Sequence, residues 1–307
     1  MKLTYYGVRG SVPRPLTGYE IYDRIASNVK GDSVSLKQLK SLAGKGLLSY
    51  GGNTSCVLLS QDDFDLIIDA GSGLRVASSH FLTKNSGPVH ILLTHLHWDH
   101  IQGIPFFVPL FMQGREIHFH SCIPAKTVKK ALEQQGMEPY FPVPFGDLLS
   151  KTHFHEYNDK KQFKIGPFKV KSLELEHPQD TYAYKVSHGE NSYVHMSDTE
   201  ITFLKAAEKK KYANFLKDTS FVSFDSQFSS EEAHKFATWG HSCADHFIDN
   251  FSNIGVKTLA LFHHNPQLGE ENVDKLFAQA KKHLKKVNPK SGMKVIAAIE
   301  GQTHKIS

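Results

Sequence analysis

Cysteine is scarce in this 307-residue chain. Cys56, Cys122 and Cys243 lie far apart, with no CxxC pair. An odd, sparse set argues against a disulfide framework and a thiolate metal site, and predicts a reducing, cytoplasmic setting. Long apolar runs are also missing. No stretch approaches the roughly 18 apolar residues of a membrane span, so no membrane partner is expected. The opening MKLTYYGVRGSVP has no apolar leader core and reads as a strand and turn. Strong charge of one sign is absent: 36 Lys+Arg against 31 Asp+Glu leave +5. That mild excess does not by itself imply a nucleic-acid track. Internal repeats and low-complexity tracts are absent too.

What is abundant is histidine, with 19 residues, against an apolar fraction of 40%. The apolar content suffices for a sizeable core, so the chain is not disordered. LTYYGV, SCVLLS, DLIIDAG, VHILLTH, EIHFHS, PFKVKSLELEH, TYAYKVSH and NSYVHMSD read as strands. KTLALFHH and KVIAAIEG are late strands. Apolar residues at three- and four-residue steps predict helices in AKTVKKALEQQG, ITFLKAAEKKKYANFLK, EEAHKFAT, CADHFIDNFSNIG and ENVDKLFAQAKKHLKKV. Strands and helices interleave without a linker. That predicts one α/β domain over 1–307, with sheets inside and helices outside. A polar segment at about 14–49 is expected to form one or two short helices over a site, or else a mobile surface loop.

The strongest chemical feature is Thr94-His95-Leu96-His97-Trp98-Asp99-His100, directly after an apolar strand. In an extended segment alternate side chains share a face, so His95, His97 and Asp99 converge. A turn near Asp99 brings His100 to the same cavity. Imidazole and carboxylate are ligands of zinc and related divalent ions. Four such groups exceed the need of one ion, so two adjacent ions are expected. His177, Asp198 and His263 each end a strand-like run, the edge where ligands gather in α/β proteins. Singly, each reads as a hydrogen-bonded surface residue; together with the first cluster they complete a binuclear set.

HxHxDH, followed by His177, Asp198 and His263, resembles the metallo-β-lactamase superfamily of binuclear metallohydrolases over nearly the whole chain. GVRGS (7–11), YGGNTSC (50–56), DAGSGLR (69–75), HWDHIQGIPFF (97–107) and WGHS (239–242) are similar to its phosphodiesterase-like branch. That branch includes ribonuclease Z and the phosphonate-pathway cyclic phosphodiesterase. The resemblance implies an αββα sandwich with the metals at one edge of two sheets. It implies that His95, His97 and His177 hold one ion, that Asp99, His100 and His263 hold the second, and that Asp198 bridges. The ions are expected to be zinc, with manganese or iron as alternatives, and a metal-bound hydroxide the nucleophile. Asp69 matches the superfamily's early Asp that supports the metal loop. His241 is implied to face the substrate phosphate and assist catalysis, alongside Asp99 and Asp198. Asp225 is expected to orient His241 or a metal ligand, or to be structural. Ser242 is the candidate N-cap of the helix that follows.

These residues predict hydrolysis of a small phosphodiester, such as a cyclic nucleotide or cyclic phosphate. The alternatives are an RNA-end-processing nuclease, a lactone or ester hydrolase, and a non-catalytic metal-binding sensor. The 14–49 segment is neither strongly basic nor rich in Gly and Pro, which disfavours long nucleic acid. Tyr19 or Tyr22 is a candidate for stacking on a base. The chain is expected to be a homodimer by general frequency. Pro178-Gln179-Asp180 departs from the branch, where a glycine-containing turn is usual. His118, His120, His153 and His155 have HxH spacing but no following Asp, and are read as structural. His264 is read as packed or solvent-facing, Gly51-Gly52-Asn53 as a turn or an anion nest, and Lys209–Lys211 as a solvated helix face.

Overall fold

The computed structural model describes residues 1–31, 33–83 and 87–307. Asp32, within the polar 14–49 segment, lies outside the described residues. The chain begins with β1 (Lys2–Gly7), then two short helices, α1 (Gly18–Asn28) and α2 (Leu36–Gly44). Next come β2 (Cys56–Gln61), β3 (Phe64–Ile68), α3 (Gly73–Thr83), β4 (Val89–Leu92) and the single turn α4 (Trp98–Ile101). β5 (Glu116–Ser121), α5 (Ala125–Gln135) and β6 (Lys151–Glu156) complete the first half. The second half runs through β7 (Phe163–Ile165), β8 (Phe168–Glu174), β9 (Tyr182–His188), β10 (Asn191–Met196) and α6 (Ala206–Leu216). It ends with β11 (Phe221–Asp225), α7 (Ser230–Lys235), α8 (Ala244–Phe251), β12 (Thr258–Phe262), α9 (Glu270–Val287), β13 (Lys294–Ala297) and β14 (Thr303–Lys305).

Two seven-stranded sheets result, ordered β14-β1-β2-β3-β4-β5-β6 and β13-β12-β11-β10-β9-β8-β7. Alternation along each strand explains the layering. In β1, Leu3 and Tyr5 are fully buried between the sheets, where they join Leu59, Ile68, Phe168, Val186 and Tyr193. Burying each such side chain contributes roughly 1.5–3 kcal/mol. The opposite face of the first sheet carries Ile67, Ile91, Ile117 and Phe119 against α3 and α5. Leu259 and Leu261 on the second sheet meet Phe247 and Phe251 of α8. This is the expected αββα sandwich. Strands β3 to β6 are mutually parallel, as are β10 to β13. Their C-terminal ends therefore share one edge, where polar loops collect.

The 14–49 segment holds the two helices expected, each opened by a capping box, Thr17 with Glu20 and Ser35 with Gln38. Arg24 donates to Asp274 and to the Gly46 carbonyl, and Arg14 reaches Glu20 and Glu270. These contacts fasten the segment to the start of α9. Tyr19 and Tyr22 remain exposed on α1, as Lys209–Lys211 do on α6.

The local expectations need correction in several places. α6 begins at Ala206, so Ile201–Lys205 is a connecting segment rather than a first helical turn. α3, β6, β7 and β14 lie outside the elements that the sequence pattern predicts. The helical period of α3 is hidden by the glycine-rich motif that opens it, and β6 places histidines where apolar residues would mark a strand. No described helix is long and apolar enough to cross a membrane.

Candidate metal centre

The metal loop leaves β4 extended and then coils. His95 and His97 lie on the extended part, but Trp98 already starts α4, with His97 as its N-cap. Asp99 is therefore delivered by a helical turn together with His100, not by strand alternation. His97 Nδ1 sits 3.0 Å from both His95 Nε2 and His177 Nε2. Asp99, His100 and His263 gather beside them. His263 Nε2 is 3.2 Å from Asp99 Oδ2, and His100 Nε2 is 3.4 Å from it. Asp198 spans the two groups, with Oδ1 at 3.8 Å from His95 Nε2 and Oδ2 at 3.0 and 3.2 Å from His100 and His263.

Three of the remaining ring nitrogens are held by partners, while His263 Nδ1 is buried without one among the described residues. His100 Nδ1 pairs with Asp69 Oδ2 at 2.7 Å, His177 Nδ1 with the Gly240 carbonyl at 2.9 Å, and His95 Nδ1 with Thr94 Oγ1 at 3.0 Å. Such partners fix ring orientation and leave Nε2 free to ligate. Asp69 also accepts from Ser55 and from both the amide and hydroxyl of Thr94. Burial opposes its charge, yet His100 and then His195 hold it well below the ordinary carboxylate range. Burial, with His100 second, pushes His95 down and keeps it neutral.

The fit of this set to divalent ions rests on atoms that are otherwise orphaned. His100 Nε2 and Asp198 Oδ2 are both buried and lack a hydrogen-bond partner among the described residues. They face each other at 3.0 Å without hydrogen-bond geometry. Buried polar atoms are normally satisfied, so the pair is suited to a shared cation. The donors fall into two groups with ligand atoms within 4.8 Å: His95, His97, His177 and Asp198, and Asp99, His100, Asp198 and His263. All are imidazole nitrogen or carboxylate oxygen, the chemistry of zinc and its neighbours.

Loops from separate parts of the chain hold the cluster. Arg9 is fully buried; it pairs with Glu270 and donates to the Gly51 and Asn265 carbonyls. It thereby joins the turns before β2 and after β12. Ser11 N donates to Asp99 Oδ2 at 2.7 Å. Gly10 is needed because a Cβ there would lie 2.5 Å from His263 Nδ1. Gly240, at φ 79, would bring a Cβ within 2.2 Å of His177 Nδ1. Gln179 Oε1 accepts from the Leu96 amide at 2.7 Å, so the departure after His177 buttresses the metal loop. The Gly52 and Asn53 amides form an anion nest, and it is filled by the Glu300 carboxylate at 3.0 Å. Neither Gln179 nor Glu300 was legible as a site residue. Asp69, Asp198 and His263 all adopt left-handed backbone, with φ of 59, 55 and 60.

His241 Nδ1 lies 2.8 Å from Asp225 Oδ2, and its ring stacks on His263 at 5.1 Å. Burial disfavours the imidazolium, but Asp225, then Asp198 and Asp99, push its pKa up to about 9. Asp225 is fully buried and also accepts from the amides of Thr199 and Gln227. Its contact is thus with His241 rather than with a solvent-facing group. Glu200 Oε2 accepts from the amides of Thr238 and Gly240 and holds the WGHS loop. Ser242 does not cap α8, whose N-cap is Cys243. The Ser242 hydroxyl instead donates to the Thr199 carbonyl and accepts from the Ile201 amide, tying that loop to the segment after Asp198. His264 is buried and hydrogen-bonded to the Ala298 carbonyl, consistent with packing.

Two cavities flank the centre. One, of about 500 Å³, is lined by His177, Glu176, Glu200 and Glu208. The other, of about 650 Å³, is lined by Leu96, Trp98, Phe106, Gln135, Tyr140 and Phe141. Trp98 and Phe106 are more than half exposed there.

Residues 65–264 match the Beta-lactamase superfamily domain. Ribonuclease Z of Staphylococcus carnosus (strain TM300) is 25% identical over 151 residues, 47% of this chain and 46% of that protein. The chain thus spans about half the length of that relative. Ribonuclease Z of Oceanobacillus iheyensis is 22% identical over 290 residues, 78% of this chain and 92% of the relative. Among solved structures, the metallo-beta-lactamase fold protein YhfI from Bacillus subtilis superposes with a TM-score of 0.65 at 17% identity, over 99% of both chains. A diphosphatase of the PhnP family gives 0.62 at 15% identity, over 100% of this chain and 98% of the other. With its two-sheet sandwich and the clustered histidines and aspartates at one edge, the chain belongs to the β-lactamase superfamily and has the metallo-β-lactamase fold.

Proposed function

We propose that the protein is a binuclear metal-dependent phosphodiesterase acting on a small phosphodiester, such as a cyclic nucleotide or another cyclic phosphate. Zinc is the preferred ion on ligand chemistry, and manganese or iron is tolerated by the same N/O donors. The carrying observation is the buried Asp225–His241 pair set against His263 of the ligand cluster. It provides a proton donor at the edge of a site built for anions. Similar proteins are named for phosphoester chemistry, ribonuclease Z and a PhnP-family diphosphatase among them.

Two divalent ions, when bound, polarise phosphoryl oxygens and bring the pKa of a water to near neutrality. Asp99, anchored by the Ser11 amide, is positioned to accept a proton from that water. His241 holds its Nδ1 proton against Asp225 and delivers a second proton from Nε2 to the leaving oxygen. Glu176, Glu200 and Glu208 line one flanking cavity and repel an extended polyanion. The apolar cavity beside Trp98 suits the organic part of a small substrate. The three cysteines are buried free thiols, in keeping with a reducing, cytoplasmic compartment.

The test is turnover by metal-loaded protein across bis-p-nitrophenyl phosphate, cyclic nucleotides, 3′-extended RNA, lactones and lactams. Hydrolysis of the first two above the rest supports the proposal. Preference for RNA ends or for lactones replaces it with that activity, and no turnover on any panel favours a metal-binding sensor.

A further inference from the structure

Histidine is concentrated at a second place, within strands β4, β5 and β6 rather than on the loops that follow their C-terminal ends. Neighbouring strands β4, β5 and β6 are in parallel register, with His90 opposite His118, His118 opposite His153 and His120 opposite His155. Alternation puts all five imidazoles on the face that also carries Leu92 inward. The rings form a continuous stack, His90 on His118 at 4.8 Å, His118 on His153 at 4.5 Å and His120 on His155 at 4.6 Å.

Half of the ten ring nitrogens there are satisfied internally. His120 Nδ1 meets Tyr157 Oη at 3.0 Å, and its Nε2 meets His90 Nδ1 at 3.0 Å. His118 Nδ1 meets His155 Nε2 at 2.9 Å. The tautomer that carries its proton on Nδ1 leaves His118 Nε2 free to ligate, and Nε2 lies 3.7 Å from the Glu116 carboxylate. His153 Nε2 is enclosed, with no hydrogen-bond partner among the described residues. Ligand atoms of Glu116, His118 and His153 lie within 4.8 Å of one another.

We propose that Glu116, His118 and His153 form a third cation site, for a late first-row divalent ion such as zinc, nickel or copper. Two ligands bonded at ~2.0–2.1 Å with tetrahedral angles sit about 3.3 Å apart, so the Glu116–His118 pair closes with a small side-chain movement. Two imidazoles and one carboxylate select these ions over magnesium or calcium, which demand more oxygen ligands. Glu116 is half exposed, so water fills the remaining position and the ion has an entry path. His155 acts as the partner that fixes the His118 ring, as ligating imidazoles require. Because β6 is the edge of its sheet, the ion cross-links an otherwise singly paired strand to β5.

The test strips the full-length protein with chelator, titrates it with zinc alone and measures bound zinc per chain. The wild type should bind one ion more than His153→Ala. Glu116→Gln, at an exposed position that carries no packing, should weaken that ion at least tenfold. Zinc should also raise the melting temperature of the wild type more than that of either variant. Equal zinc content and equal melting shifts in all three proteins overturn the assignment.

Discussion

His241 and Asp225 form a buried imidazole–carboxylate pair at 2.8 Å, although 16 residues separate them in sequence. Asp225 closes β11, and His241 sits on the loop before α8. The pair therefore couples a rigid strand end to a loop that lies over the ligand cluster. His241→Ala should lower kcat by about 10²–10⁴-fold, the range of a lost general acid, with little change in metal content. Asp225→Asn should lower kcat less and leave KM nearly unchanged, because it frees the ring without removing it. Metal analysis beside steady-state kinetics decides the matter; unchanged kcat in His241→Ala refutes the role.

Asp198 reaches toward both ligand groups, so its loss should be felt by both ions. Asp198→Ala is expected to bind fewer ions per chain and to lose activity by several orders of magnitude. Chelation of the wild type should abolish turnover reversibly and lower the melting temperature, since ligands that bind only the native state stabilise it. Full activity in Asp198→Ala after chelation and exhaustive dialysis would remove the centre from the mechanism.

Trp98 is tethered between the candidate ligands His97 and Asp99, and its indole lines the apolar cavity. Trp98→Ala should raise KM for a nucleotide-like ester several-fold and leave a minimal phosphodiester almost unaffected. An aromatic surface of this kind contributes about 1–3 kcal/mol per stacked base. Equal effects on both substrates would point to a disturbed metal loop instead.

The stacked histidines carry an acid response. An imidazole titrates near ~6.5 in the unfolded chain. His90 is pushed down to about 4 and His120 to about 2, in each case by burial first and neighbouring imidazoles second. Between those values the unfolded chain takes up protons that the folded one refuses. The stability linked to these groups is complete above pH ~6.5 and is lost as pH falls toward 4. Melting curves with chelator present should show this slope in the wild type and a shallower one in His90→Leu. Superimposable pH profiles would count against it.

The clustering of the 94–100 side chains was readable because the groups are contiguous and follow an apolar run. His177, Asp198 and His263 were readable because each follows a strand. What surrounds them was less visible for a physical reason: the partners are distant in sequence. Arg9 meets Glu270 across 261 positions, and Asn53 meets Glu300 across 247. No local pattern marks such pairs, so the glycine-rich turns showed their shape but not their filling. Ser242 illustrates the opposite error, since a good capping residue was drawn into a tertiary contact with Thr199. β6 escaped notice because its inward face is built from imidazoles rather than aliphatic side chains.

The left-handed backbone at Asp69, Asp198 and His263 has a consequence for how this chain can change. Side chains in that region carry a conformational penalty of order 1–3 kcal/mol, which glycine avoids and β-branched residues cannot meet. Glycine at these positions would relieve that penalty but would remove the buried carboxylates and imidazole that the surrounding donors and the ligand cluster contact. Backbone comfort is thus given up at three separate strand ends for the sake of what their side chains touch.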